Sequence, residues 1–428
     1  MHVTRSELQR LVEPSCFQWL AGIEDTFITA PSPKTGRTLD EYELTEHYGR
    51  WREDLDLFAQ LQLRSVRYGV PWHRINPRRG LWDFAWTDGP LEHLLELGIR
   101  PVVDLVHYGV PAWIDQAYLA ADFGARMAEY ATRVAERYRG RIHTYTPLNE
   151  PRVTAWYCGR LGWWPPFRRG WTGFVRVMVG LCKGIVQTAQ ALTLVDPEIV
   201  HVHVDATDLY TATTPDLEEE ARLRQELVFL ALDLVSGRIA PGHALYAWLV
   251  AKGASPKELE WFEANALELD LVGINLYPLF SEKRLVRTSR GLRIRMRYAS
   301  ADIIDRLAAL YWERYRRPLF ISETASEGTV SKRLAWLEAS VAATARVRAR
   351  GVPLVGYTWW PLFALVTWGY REGHKAPHHY LRQMGLWDLQ PGPGGLERVP
   401  TVLVERYREL VAGGSAAVGP LMSPGARR

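Results

Sequence analysis

The sequence predicts a single (β/α)8 barrel with extended loops after its strands. Three observations lead to that class. Eight short apolar, β-leaning runs recur along the 428 residues, amphipathic helical stretches lie between them, and the composition does not shift from one end to the other. Alternating strands and helices build a parallel sheet covered by helices, and eight such units without a break favour one closed barrel over two open sheets. A pair of doubly wound domains is the alternative. It is weakened because no GxGxxG follows any of the strands at a helix start. The barrel is assigned to residues 1–412, and the Gly, Ala, Ser and Pro-rich residues 413–428 to a flexible tail.

Taken in order, the strands are expected at residues 16–21, 64–70, 101–107, 142–149, 198–205, 269–275, 319–323 and 353–359. The helices between them are expected at 50–61, 91–97, 123–138, 174–194, 217–235, 301–315 and 333–350. Gly98, Gly140 and Gly351 each follow a helical stretch and precede a strand, which is where a helix-to-strand turn needs a breaker. Residues 281–298, SEKRLVRTSRGLRIRMRY, alternate basic and apolar side chains and are expected to form a hairpin over the barrel mouth.

Composition removes several function classes. The formal charge of +4 comes from 52 basic and 48 acidic residues spread along the chain, and no run of like charge resembles a nucleic-acid arm. Cys16, Cys158 and Cys182 are too few and too irregularly spaced for a disulfide framework or a zinc site, so a reducing cytoplasm is expected. His374, His378 and His379 follow no metal-ligand spacing, and no metal is expected. The N-terminus lacks an apolar signal region, and no apolar stretch is read as approaching the ~20 residues of a membrane span. The 18 tryptophans and 19 tyrosines point weakly to carbohydrate, because aromatic faces stack on the apolar faces of sugar rings.

In a barrel of this class the chemistry sits at the C-terminal ends of the strands. Following each apolar run to its first polar side chains gives Glu24, Arg67, His107, Asn149 with Glu150, Asp205, Asn275 with Tyr277, Glu323, and Trp359 with Trp360. Two glutamates on opposite sides of one mouth, with an arginine, a histidine, asparagines and indoles between them, suit cleavage of a glycosidic bond. That reaction needs one carboxyl to protonate the leaving oxygen and a second to attack the anomeric carbon. Trp359 is assigned to the core, since neighbouring strand residues face opposite ways and Trp360 takes the cleft side. Glu24 and Asp205 each stand evenly between a substrate contact and an internal salt bridge.

These segments resemble family 1 glycoside hydrolases, or a relative in the same clan of retaining β-glycosidases, over most of the chain. TPLNEP at 146–151 is similar to the family's T-x-N-E-P segment and implies Glu150 as acid/base and Asn149 as its sugar-binding neighbour. ISET at 321–324 resembles the nucleophile segment and implies Glu323 in that role. VRYGVPWHRINP at 66–77 implies Arg67 as support for the nucleophile, and GINLYP at 273–278 places Tyr277 beside it. VHYGVPAW at 106–113 implies a sugar-binding His107. YTWWPLFALVTW at 357–368 implies Trp360 and Trp368 as walls of the sugar site. Asn275, Glu24 and Thr367 complete the expected substrate-binding set.

The resemblance implies hydrolysis of small β-glycosides or oligosaccharides through a covalent glycosyl-enzyme, without a cofactor. The departures fall on the specificity side. Phe27 replaces a glutamine, for which Glu24 could substitute; Thr367 replaces the glutamate that grips the 4- and 6-hydroxyls; and Tyr108 replaces a tryptophan after His107. Three alternatives stay open. Thr367 with Arg371 and Lys375 could hold a sugar 6-phosphate, the same intermediate could serve transglycosylation, and the barrel could be a sugar-binding pseudoenzyme.

Overall fold

The computed structural model describes residues 6–13 and 16–422. Eight parallel strands close a barrel: β1 (Gln18–Ile23), β2 (Ser65–Gly69), β3 (Arg100–Asp104), β4 (Thr144–Thr146), β5 (Val200–Ala206), β6 (Leu271–Asn275), β7 (Leu319–Thr324) and β8 (Leu354–Trp359). They lie around the barrel in sequence order, and β1 closes the ring by pairing with β2 on one side and β8 on the other, Ala21 facing Val66 and Trp359. Outside lie α1 (His47–Ala59), α2 (Ala85–Glu96), α3 (Phe123–Arg137), α4 (Gly170–Val195), α5 (Glu218–Val235), α6 (Asp302–Tyr315), α7 (Val330–Ala349) and α8 (Val402–Gly413). Each expected strand and helix is present.

The inner face explains how the sequence places polar groups at one end. Leu20, Val102, Val200, Val202, Val204, Leu271, Phe320 and Val355 pack together inside the barrel, and Leu8, Leu11 and Val12 of the helix Ser6–Val12 pack against them. Side chains on one face recur every second residue. The inward positions therefore run Leu20, Gly22, Glu24 on β1 and its exit, Val102, Asp104 on β3, and Leu271, Gly273, Asn275 on β6. The pattern is apolar low in the barrel and polar at the top. Two glycines in the middle are sterically required: a Cβ at Gly22 would sit 2.5 Å from both Glu24 Oε2 and Trp360 Cδ1, and one at Gly273 would sit 2.7 Å from Ser322 Oγ.

Two strands end earlier than their apolar runs suggest. β3 stops at Asp104 and His107 keeps only a bridge to Asn149, while β4 stops at Thr146, where Pro147 has no N–H to continue the ladder. The hairpin over the mouth is present as Glu282–Thr288 and Gly291–Arg297, and its first strand also pairs with Leu209–Ala212 beyond β5. Helix α4 corrects the hydropathy reading: over 26 residues it is long and apolar enough to match a membrane span. However, 61% of its most apolar window is buried inside the fold. It is a core helix whose Met178, Cys182 and Ile185 belong to the same packed cluster as Phe123 and Met127 of α3. Beyond α8 the chain makes a 3-10 turn at Gly414–Val418 with Val418 buried, and Trp19 Nε1 donates to the Gly414 carbonyl at 3.0 Å. Residues 423–428 of the expected tail and residues 1–5 of the N-terminal stretch lie outside the described residues.

The turn leaving β3 is packed backbone against backbone. Phe27 N–H donates to the His107 carbonyl at 3.3 Å, and a Cβ on Gly109 would lie 1.6 Å from the Phe27 carbonyl oxygen. Gly109→Ala must push these two loops apart, and is expected to destabilise the protein by about 1 to 3 kcal/mol. Equilibrium denaturant unfolding measures this, and an unchanged midpoint would remove the close approach as a constraint.

Candidate active site

Arg67 is the inward residue of β2, between the outward Val66 and Tyr68, and has no exposed surface. Its Nη1 donates to Glu24 Oε1 at 2.7 Å and to Glu323 Oε1, and its Nη2 donates to Asp104 Oδ2 and Asn149 Oδ1, both at 2.8 Å. One guanidinium thus holds three carboxyls and an amide from four different strand ends. Burial works against its charge, but Glu24, Asp104 and Glu323 outweigh that and raise its pKa above the ordinary arginine value. Glu24 is pushed well above the usual carboxyl range by burial, which Arg67 only partly offsets and which the charges of Glu323 and Asp104 reinforce. Glu24 therefore belongs to the cradle beneath the cleft. It is fully enclosed and paired with Arg67, the internal salt bridge weighed for it beside a substrate contact.

The two candidate glutamates stand in different environments. Glu323 lies on β7 at an irregularity in register with both β6 and β8, the kind of bulge that re-aims a side chain. Its two oxygens accept from Arg67 and, at 2.7 Å, from the Tyr277 hydroxyl. Glu150 follows β4 with φ 45°, a left-handed backbone uncommon outside glycine, and caps the short helix Pro151–Ala155. That conformation is held from both sides, its N–H donating to the Val204 carbonyl at 3.2 Å and its own carbonyl accepting from Thr154 N–H at 3.1 Å. Glu150 Oε1 accepts from Asn275 Nδ2 at 2.9 Å, and Oε2 accepts from the Tyr108 hydroxyl. Burial first and the charge of Glu323 second push its pKa up to about 7, against the opposing donation of Tyr108 and Asn275.

The amides orient this machinery. Asn149 Oδ1 accepts from Arg67 and, at 3.2 Å, from Asn275 Nδ2, so its Nδ2 is the donor to His107 Nε2 at 3.2 Å. His107 then carries its proton on Nδ1, which donates to Asp104 Oδ2 at 2.9 Å. Both N–H groups of Asn275 are engaged by Asn149 and Glu150, and its carbonyl accepts from Ser322 Oγ at 2.6 Å. In the free protein Asn275 thus bonds both residues of the N-E pair. Asp205 projects instead among Pro147, Pro151, Ile185 and Ala231 outside the barrel wall, with Oδ1 accepting from Ala206 N–H at 2.8 Å.

Aromatic rings wall the cleft above these groups. Trp360 stacks at 6.5 Å on His107 and meets Tyr277 edge-on at 6.0 Å, and its Nε1 donates to the Glu24 carbonyl at 2.9 Å. Trp359 turns into the core as expected and donates to the Met384 carbonyl. Trp368 packs against Tyr108, Tyr157 and Trp164, and its Nε1 donates to Thr26 Oγ1 at 3.0 Å. Thr367 is half-buried and caps the turn Trp368–Glu372, its N–H donating to the Tyr380 carbonyl at 2.8 Å. Arg371 is fully buried and donates to the carbonyls of Trp163 and Ala30 and to Glu372. Lys375 is exposed. Such an arginine is tied into loop structure, which does not favour a phosphate-binding role. Among the described residues, Glu226, Asp233 and His243 have their ligand atoms close enough to hold a metal ion. Arg314 Nη2 already lies among them, donating to Glu226 at 2.9 Å and Asp233 at 2.6 Å.

Known proteins match this architecture and sequence. The family model of glycosyl hydrolase family 1 matches residues 21–226, from β1 into α5. β-Glucosidase A of Thermotoga maritima is 25% identical over 377 residues, covering 77% of this chain and 80% of that one. The chain is thus similar to glycosyl hydrolase family 1 in its first half and to family 1 β-glucosidases over most of its length. A second relative, β-glucosidase 1B of Phanerodontia chrysosporium, is 32% identical, but the match spans 27% of this chain and about a quarter (24%) of that protein. A solved structure of the Thermotoga maritima family 1 β-glucosidase superposes with a TM-score of 0.80 over 94% of this chain and 98% of that one, at 18% identity, a likeness of fold.

Two contacts of this site went unread in the sequence. Asp104 bonds both Arg67 and His107, and its signal was available: a single charge inside the apolar run PVVDLV. The bond from Tyr108 to Glu150 left no sequence signal, because it depends on a loop in which Tyr108 has φ 63°.

The cradle makes a stability prediction. Arg67→Met leaves buried carboxyls without their cation and is expected to cost about 3 to 5 kcal/mol, whereas Glu24→Gln, replacing a carboxyl whose pKa burial pushes up, is expected to stay within about 1 kcal/mol of the parent. Denaturant unfolding of both variants at neutral pH checks the pair. Equal losses would mean that Glu24 is ionised.

Proposed function

We propose that this glycosidase hydrolyses terminal β-linked sugars of small glycosides or oligosaccharides by a retaining double displacement, with Glu323 as nucleophile and Glu150 as acid/base. The observation that carries the proposal is the unlike treatment of two carboxyls at opposite strand ends. Glu323 accepts from a guanidinium and a phenol, the surroundings of an anion. Glu150 is held near pKa 7, the value of a group that gives up a proton and takes it back near neutrality. In the first step Glu323 attacks the anomeric carbon while Glu150 protonates the departing oxygen. In the second, ionised Glu150 takes a proton from water, which displaces Glu323. Arg67 and Tyr277 steady the nucleophile; Asn149 offers the sugar the N–H beyond its bond to His107, and His107 meets a sugar hydroxyl by exchanging that bond. Trp360 and Trp368 supply the stacking walls. Three free cysteines support a reducing, cytoplasmic setting.

Specificity follows from Thr367. A carboxylate gripping a sugar hydroxyl contributes about 1.5 to 3 kcal/mol per bond, and a neutral threonine hydroxyl contributes less. The site is therefore proposed to tolerate change at C4 and C6.

Three measurements test this function. Glu323→Gly should lose nearly all activity and, with azide, return an α-linked glycosyl azide. Glu150→Ala should fall about 10²- to 10⁴-fold on poor leaving groups and return a β-linked azide with good ones. A product of the opposite configuration in either case reverses the roles. Because Glu150 must be protonated in the free enzyme, kcat/KM should decline as pH rises through about 7, and a profile flat to strongly alkaline pH would contradict its role. On a panel of aryl glycosides, β-galactosides or β-fucosides should be hydrolysed at least as well as β-glucosides. A strong glucoside preference would contradict the reading of Thr367.

A further inference from the structure

Tyr108 has no place in the mechanism so far, yet it touches the proposed acid/base directly. Its hydroxyl donates to Glu150 Oε2 while Asn275 holds Oε1, so both oxygens of the carboxyl have a fixed donor. The phenol cannot swing away freely. Its ring packs edge-on to His107 at 4.6 Å and to Trp368 at 5.2 Å, and lies against Trp164 at 5.8 Å. Its carbonyl accepts from the Tyr118 hydroxyl at 2.6 Å, and Gly109 behind it abuts the Phe27 backbone. Tyr108 is also in the left-handed region at φ 63°, a conformation that a tyrosine adopts only when its surroundings hold it there.

We propose that Tyr108 is a positioning residue for the acid/base: its hydroxyl fixes the plane of the Glu150 carboxyl and sets the balance between its acid and base forms. The inference rests on the proposed role of Glu150. The physical basis is that a donor to a carboxyl oxygen stabilises the ionised form more than the protonated one. Tyr108 thus opposes the groups that favour protonated Glu150, namely burial, Glu323 across the cleft and Asp205 on β5. The other groups that face Glu150 are Asn275 and Tyr277 from β6 and its exit, and Tyr157 from the segment after the short helix. The phenol itself stays a neutral donor, because burial first and then the charges of Glu150 and Glu323 raise it well above the usual tyrosine range. With two donors fixed, the remaining position on Glu150 carries the proton for the leaving oxygen and, once ionised, accepts from water.

The test is the alkaline limb of kcat/KM against pH, measured on a β-glycoside with a poor leaving group. Tyr108→Phe removes the donor and should move the limb up by about one pH unit. Replacing Tyr108 with 3,5-difluorotyrosine keeps the ring and strengthens the donor, and should move the limb down. Opposite shifts are not produced by a packing role. If both variants leave the limb in place, or both move it the same way, the proposal is overturned. The difluoro variant alone still decides the direction should Tyr108→Phe fail to fold. Azide-rescued Glu150→Ala on an activated substrate separates this result from the larger reading, since it should have no alkaline limb. A limb that survives in Glu150→Ala overturns the role of Glu150 itself, whereas a limb lost there but unmoved by both Tyr108 variants overturns only Tyr108.

Discussion

The buried guanidinium of Arg67 is the interaction on which the rest of the site depends. Four strand ends deliver Glu24, Asp104, Asn149 and Glu323 to it, and none of these side chains could be enclosed so completely without a shared cation. The arrangement has a fixed limit: one positive charge cannot neutralise three ionised carboxylates. Burial pushes Glu24 well above the ordinary carboxyl range, which eases that conflict at the deepest carboxyl. What remains is an arginine shared by Asp104, which orients His107, and Glu323, which faces the sugar. The cradle is thus also a tautomer selector. Asp104 fixes the proton on His107 Nδ1, and Asn149, held by the same arginine, meets the other nitrogen.

This cradle is possible because of what lies beneath it. The inward positions of β1 and β6 pass from leucine through glycine to a polar residue, and the missing Cβ atoms of Gly22 and Gly273 are the space that Glu24, Trp360 and Ser322 occupy. Below that layer the inward side chains are Val, Leu and Phe, an apolar floor beneath the arginine. An apolar floor strengthens each charge-assisted bond above it and makes an unpaired charge correspondingly costly. Stability and chemistry are therefore coupled through the same few residues of β1, β2 and β6.

Much of this was legible in the sequence, and the reason is geometric. Strand and helix alternate with clear periods, and the first polar residue after each apolar run is where a barrel puts its chemistry, so Arg67, Glu150, Tyr277 and Glu323 could be named from position alone. What the sequence did not carry was the direction of each polar side chain. Glu24 and Asp205 both follow apolar runs, but Glu24 points into the arginine cradle and Asp205 into the helix layer, a difference of parity on the strand that no local pattern encodes. Asn275 looked like a sugar contact because its amide is at a strand end, although both of its N–H groups already have protein partners. Helix α4 looked too short in apolar content for a span because its apolar residues are interrupted, yet its summed hydropathy matches one. The bond between Tyr108 and Glu150 joins two residues with positive φ, and such loop conformations have no signature in residues other than glycine.

The environment of Glu150 also accounts for how one carboxyl serves two opposite tasks. Burial, the charge of Glu323 and, less strongly, that of Asp205 raise its pKa in the free enzyme. In the proposed mechanism, formation of a glycosyl ester on Glu323 removes that negative charge, so the second of these causes vanishes when the first step is complete. The donors do not change, because Tyr108 and Asn275 belong to loops and strands that the reaction leaves in place. With the repulsion gone and both donors still present, the balance at Glu150 tips toward the anion just when a base is needed to activate water. On the proposed mechanism, the covalent step on one glutamate is therefore what would convert the other from acid to base, with the fixed donors setting how far that conversion runs.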